Sequence, residues 1–191
     1  MRSLFALSSI TAALVLAMPR SACAHEVFLG VGPAVGFSTG NDWEGDGAIF
    51  YGQSRFGYRS NIPIGVVGHL REGYAKVDER LLTNLALGVE GRLPLESMTP
   101  WLRLSWLHQH EESIDFAKEE PFGVLFGVGR GIRHRGGVGF GAGVDVPFAK
   151  TGAFDWFAGG EAFLDYLFAS EAPGPSVYAG GALSIGASHR W

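Results

Sequence analysis

The residues best able to do chemistry lie near the middle of the chain, in His108-Gln109-His110-Glu111-Glu112-Ser113. In an extended strand every second side chain shares a face, so His108 and His110 could both reach one metal ion. Glu111, Glu112 or His134 would complete such a site. A plainer role for the same imidazoles is that of polar rings at the end of a strand. The run also offers Ser113, His110 and Glu112 for nucleophilic chemistry. Two residues separate His110 from Ser113, however, and Ser105 and His108 fall on opposite faces, so the spacing positions no set of nucleophile, base and orienting group. A third cluster, GRGIRHR, carries Arg130, Arg133 and Arg135. Arginine binds phosphate bidentately, although Glu111, Glu112, Asp115, Glu119 and Glu120 are near enough in sequence to pair with these side chains instead. His25-Glu26 could bind copper weakly or form a frayed terminus. The spacing therefore assigns no catalytic, cofactor or metal residue outright. His108, His110 and His134 are the residues through which a metal would be held.

What positions these groups is a series of strands. Ser176–Trp191 (SVYAGGALSIGASHRW) puts Val177, Ala179, Gly181, Leu183, Ile185, Ala187, His189 and Trp191 on one face and small or polar residues on the other. Strict alternation reads as a strand with one apolar side. The run exceeds the roughly 9–11 residues that a tilted transmembrane strand requires. Seven earlier segments repeat the pattern: Glu26–Ser38, Ala48–Arg59, Ile62–Tyr74, Leu81–Leu93, Trp101–His110, Val138–Phe148 and Phe154–Phe168. Aromatics gather near segment ends, as interfacial girdles require. Pro33 removes one ladder hydrogen bond and suggests a bulge. The fold class read from this pattern is all-β: an antiparallel up-and-down transmembrane β-barrel.

Phe122–Arg135 is a ninth candidate strand. Single-chain bacterial barrels have an even strand number, because both termini face the periplasm. The second half of this segment carries Arg130, Arg133, His134 and Arg135 across both faces, which suits lipid badly. It is therefore assigned to an outer loop, Glu111–Gly137, leaving eight strands. A ten-stranded barrel with one strand unrecognised is the alternative. With eight, short turns at Ser60-Asn61, Pro94–Thr99 and Ala149–Gly152 fall on one side. The longer loops Thr39–Gly47, Ala75–Arg80, Glu111–Gly137 and Ala169–Pro175 fall on the other, the asymmetry such barrels show.

Residues 1–24 read as a cleaved secretory signal: basic Arg2, the apolar stretch Leu4–Met18 and the small-x-small site Ala22-Cys23-Ala24. Pro19 and Arg20 before Cys23 argue against lipidation. Residues 25–191 then make one domain without cysteine, which excludes a disulfide framework or a thiol enzyme. No later apolar run spans a bilayer as a helix. A formal net charge of −4 gives no footprint for nucleic acid. The expected address is the cell outer membrane, with its lipid and lipopolysaccharide as partners. For Arg130, Arg133 and Arg135 the expected outcome is pairing with the acidic residues of the same loop, with contact to lipopolysaccharide phosphates as the alternative.

In these registers Arg55, Arg59, Arg71, Glu90, Arg92, Arg103, Asp145, Asp155, Glu161, Asp165 and Arg190 face inward. An eight-stranded barrel is just wide enough for side chains to fill, and an unpaired buried charge is costly. The expectation is a closed, salt-bridged lumen, with a narrow porin-like channel as the alternative.

The signal peptide, the alternating Gly- and aromatic-rich segments and the ending GGALSIGASHRW resemble the small outer-membrane β-barrel superfamily, similar to the OmpA transmembrane domain. The resemblance implies that the barrel-assembly machinery reads the last strand and its terminal aromatic, here Trp191 where the family more often has Phe. It also implies structural, adhesive or lipid-modifying roles. Lipid A deacylases in this superfamily use His, Ser and Glu on the outer wall, and their His-x-Ser spacing is absent here. The expected function is non-enzymatic, structural or surface-interacting through the outer loops, with no cofactor. A channel and a lipid A-modifying enzyme are the alternatives.

Overall fold

The computed structural model describes residues 25–39, 47–77, 79–119, 123, 128, 132–169 and 174–191. The signal segment and its cleavage site lie outside the described residues. The remaining chain forms β1 (Glu26–Thr39), β2 (Gly47–Arg59), β3 (Ile64–Ala75), β4 (Arg80–Arg92), β5 (Thr99–Ser113), a short helix α1 (Ile114–Glu119), β6 (Arg133–Thr151), β7 (Phe154–Leu167) and β8 (Ser176–Arg190). Each strand pairs antiparallel with its sequence neighbour, and β1 pairs with β8, so the eight strands close in order into a barrel. No helix among the described residues is long and apolar enough to cross a membrane.

Period-2 alternation sets the two surfaces. Leu87, Leu104, Leu183 and Ile185 are exposed on the outside, whereas Arg55, Arg71, Glu90 and Arg103 are buried inside. The connections at the end carrying the termini are short, at 60–63, 93–98 and 152–153. Gly152 supplies the positive φ (59°) that the last of these turns needs. The strand ends that flank 40–46, 76–79, 114–132 and 168–175 lie at the opposite, far end.

Some boundaries differ from the sequence reading: β3 starts at Ile64 rather than Ile62, and β6 runs to Thr151 through most of the expected turn Ala149–Gly152, its end pairing with the start of β7. Glu111, His110 and Gln109 pair with Arg133, His134 and Arg135, so β5 and β6 continue well into the segment expected to be one outer loop. The basic residues that looked unsuited to a lipid wall extend the ladder beyond the apolar part of the barrel. There, inward Arg133 and Arg135 meet inward Glu111. Pro33 also makes no bulge. The β1–β8 register is the same on both sides of it, and pairing simply lapses at Gly32 and Pro33, as the missing N–H allows. The irregularity is instead on β6, between Pro147 and Ala149.

Aromatic side chains share the interior with the charges. Phe28, Tyr51, Trp101, Phe157 and Phe163 are buried there. Each lies directly across from a glycine on a neighbouring strand: Gly57, Gly73, Gly143, Gly186 and Gly180 respectively. A Cβ on Gly73 would stand 2.3 Å from the Tyr51 ring, and one on Gly143 would stand 2.4 Å from Trp101. The glycines are the slots into which the rings lie.

Candidate functional site

The lumen holds the largest set of functional side chains. Near the termini, Glu26 accepts from Arg59 at 2.7 Å and from Arg190 at 3.0 Å. Asp145 accepts from Arg55 at 2.6 Å and from Arg92 at 2.5 Å, and the Trp101 indole donates to it at 3.3 Å. Glu90, fully buried, takes Arg59 at 3.2 Å and Arg92 at 3.4 Å. Higher in the barrel, Arg71 and Arg103 converge on Glu161 at 2.8 and 2.9 Å, and Arg71 also binds Asp165 at 2.7 Å.

Several of these contacts join strands that are not neighbours in the ladder: β2 to β6, β3 to β7 and β5 to β7. The guanidiniums also stack on the buried rings, Arg59 lying 3.4 Å from the Phe28 centroid and Arg71 3.7 Å from that of Phe163. Opposed charge and cation–π contact together compensate the desolvation of these groups.

The alternation assigned the charged residues to the inside but did not single out the neutral polar relay between them and the far end. His69 Nε2 contacts Asn84 Oδ1 at 3.2 Å. Asn84 donates to Gln109 at 3.1 Å, and Gln109 donates to Glu111 at 2.8 Å. Glu111 also accepts from Arg80 at 2.9 Å and from Arg133. Above the ion pairs lies an apolar layer containing Ile49, Leu82, Leu107, Leu167 and Tyr178. The inward glycines opposite inward aromatics were the available signal for packing in the lumen.

The basic cluster pairs internally with Glu111. Arg135 is 2% exposed and donates to Ser176 Oγ at 2.9 Å, to the Gly174 carbonyl at 3.1 Å and to the Phe168 carbonyl. Arg133 is bound to Glu111. Both side chains turn into the barrel mouth, because their register partners Gln109 and Glu111 are inward positions. Arg135 is thereby shut away from the surface, while Arg133 stays partly exposed at the rim. Arg130 lies outside the described residues.

On the outer face the structure brings together His108, His110 and His134. His110 and His134 are register partners on β5 and β6, and His108 shares their face. His108 Nε2 and His134 Nδ1 are 3.3 Å apart, and one ring nitrogen from each histidine falls within 4.8 Å of the others. Glu112 is the next residue on this face of β5. It is buried, and neither of its oxygens has a hydrogen-bond partner among the described residues. Ser113 is not joined to this group; its hydroxyl accepts from the Phe116 amide at 3.3 Å at the start of α1. Thr83, the partner of His110 on β4, donates to Glu72 at 2.8 Å.

At the termini, His25 and Trp191 exchange backbone hydrogen bonds at 3.0 and 3.1 Å. The rings of Tyr58, His25, Trp191, His189 and Phe154 form an outer aromatic belt at this end. Trp106, Tyr166 and Phe168 form a second belt toward the far end.

No protein-family model matches the sequence, and no curated protein sequence matches it either. Solved structures do match. Neisserial surface protein A is 17% identical, aligns over 88% of this chain and 99% of its own, and has a TM-score of 0.54. The N-terminal β-barrel domain of Pseudomonas aeruginosa OprF is 14% identical over 87% of this chain and 97% of its own, with a TM-score of 0.48. Ail, the attachment invasion locus protein of Yersinia pestis, in complex with the heparin analogue sucrose octasulfate, is 16% identical over 87% and 99%, with a TM-score of 0.46. With its eight strands closed in sequence order and its apolar side chains outside, the chain has the fold of the small outer-membrane β-barrels.

Proposed function

We propose that the protein is exported, embeds in the bacterial outer membrane as a closed barrel and acts non-enzymatically, in envelope structure or surface interaction through its far-end segments. The observation that carries this reading is the inversion of its surfaces. Outward leucines such as Leu87, Leu104 and Leu183 are 64%, 66% and 68% exposed, while the arginines beneath them are buried and ion-paired. Soluble proteins rarely expose contiguous apolar patches above a few hundred Å². A closed barrel leaves no backbone edge unpaired in lipid.

The two aromatic belts support the same reading. On β7, the outward Trp156, the next residue after Phe154 on the same face, and Tyr166 are ten residues apart. A tilted strand of that length rises roughly 26 Å, close to the apolar band of about 25 Å of outer-membrane barrels. The termini and short turns would then face the periplasm. The far-end segments would meet lipopolysaccharide, and β8 with Trp191 would be read by the barrel-assembly machinery.

Lumen-crossing ion pairs and rings favour a closed interior over a channel. The engagement of Ser113 by α1 favours a non-enzymatic wall over an acyl-transfer site. Gel mobility tests the central claim. The folded protein should run as a compact band without boiling and shift on heating. A water-soluble protein with no such shift would overturn the reading.

A further inference from the structure

We propose that His108, His110 and His134 form a binding site for a divalent first-row transition metal ion, of the zinc class, on the outer wall at the far end of the barrel. The site joins two strands. His108 and His110 come from β5 and His134 from β6, and the ladder register fixes all three on one face.

Their nitrogens are spaced for coordination. Two ligands about 2.0–2.1 Å from a tetrahedral zinc ion stand roughly 3.3–3.4 Å apart. His108 Nε2 and His134 Nδ1 are 3.3 Å apart already. The ring centroids of His110 lie 4.8 Å from His108 and 4.6 Å from His134, so a small rotation of one ring would bring the third nitrogen in.

The surroundings point to a cation. His110 is 4% exposed, and its Nδ1 has no hydrogen-bond partner among the described residues. Glu112, 2% exposed and also without a partner among the described residues, follows two positions on along the same face. Burying an imidazole nitrogen unpaired is costly, and a cation bound at His110 compensates it. Three imidazoles suit zinc, nickel and copper rather than magnesium or calcium, which take oxygen ligands. Three protein ligands leave a fourth position for water. The ion would clip β5 to β6 at the root of the segment 114–132.

The test uses the untagged chain lacking residues 1–24, refolded in detergent micelles and stripped with a chelator. Calorimetric titration with Zn²⁺ should give one ion per chain. His108→Ala, His110→Ala and His134→Ala should each weaken binding by at least about 10-fold, no less than loss of an outer-shell partner does. His25→Ala and His189→Ala, at the opposite end, should leave binding unchanged. A triple variant that still shows the folded band on unboiled gels and binds zinc as the parent does would overturn the site. Co²⁺ gives a readout that needs no variant. Binding in the site should produce the intense visible bands of a four-coordinate imidazole complex. A spectrum identical to aqueous Co²⁺ would equally overturn the proposal.

Discussion

Arg55 on β2 and Asp145 on β6 are ninety positions apart in the chain, and their side chains meet at 2.6 Å inside the barrel. The contact spans the lumen. Asp145 also holds Arg92 and the Trp101 indole, so one carboxylate gathers side chains from β2, β4 and β5. Replacing it with asparagine would leave guanidiniums buried without their counter-charge. Removing one member of a buried pair costs about 3–5 kcal/mol. Asp145→Asn should therefore lower the guanidinium midpoint of the micelle-folded protein. Pairing Asp145→Asn with Arg55→Met should recover part of that loss. A double variant no more stable than the single would show that the two charges do not act as a pair.

A second prediction concerns conduction. Arg71 binds Glu161 and Asp165, and Arg103 binds the same Glu161. Together they fill the middle of the barrel. The parent protein should give no discrete single-channel steps in planar bilayers. Arg71→Ala with Arg103→Ala removes two bulky cations and leaves acids behind. This variant should show brief, cation-selective steps. Steps of equal size in parent and variant would place the current outside this part of the lumen.

A third prediction separates lipid from water as the outer solvent. Leu183 on β8 is paired with Gly160 on β7, about midway between the aromatic belts, and is 68% exposed. In a bilayer, an arginine at mid-depth on the lipid face of a barrel costs about 2–4 kcal/mol. On a water-exposed surface the same change is usually within about 0.5 kcal/mol. Leu183→Arg should reduce refolding yield and stability in lipid vesicles. Unchanged stability would contradict a lipid-facing wall.

A fourth prediction concerns the slots for buried rings. A Cβ at Gly180 would lie 2.1 Å from the Val35 carbonyl oxygen and 2.6 Å from the Phe163 ring. Forcing added volume into a packed interior typically costs about 1–3 kcal/mol. Gly180→Ala should destabilise measurably, whereas Gly91→Ala, with nothing within 4 Å, should be near neutral. Equal thermal midpoints for both variants would refute the packing argument.

The architecture was readable because one physical rule, period-2 alternation, governs every strand and each outward residue answers to the same surroundings. Leu81–Leu93 against the observed Arg80–Arg92 illustrates how closely hydrophobicity marks a strand. The rule weakened where the outside ceases to be apolar. His134 is outward and polar and Arg135 inward and charged, so the start of β6 looked like loop. Parity assigns a side chain to a face but not to a partner. That Arg71 reaches β7, or that His110 comes level with His134, follows from strand register and barrel diameter, which no local window contains. The glycine–aromatic pairs were present in the sequence, but they become visible only when strands are laid side by side.

The pairing of β1 with β8 also governs how the molecule comes to exist. Glu26 stands opposite Arg190, so the seam joins residues 164 positions apart. Joining distant segments is slow, because chain entropy is lost before the contacts form. Until the seam closes, the growing sheet presents two raw edges able to accept a strand from another copy. Closure removes both at once. The lapse at Gly32 and Pro33 leaves this join with less backbone bonding than it would otherwise have. Damage to the seam should therefore appear first as chains caught on one another during assembly, and only later as a lower melting temperature.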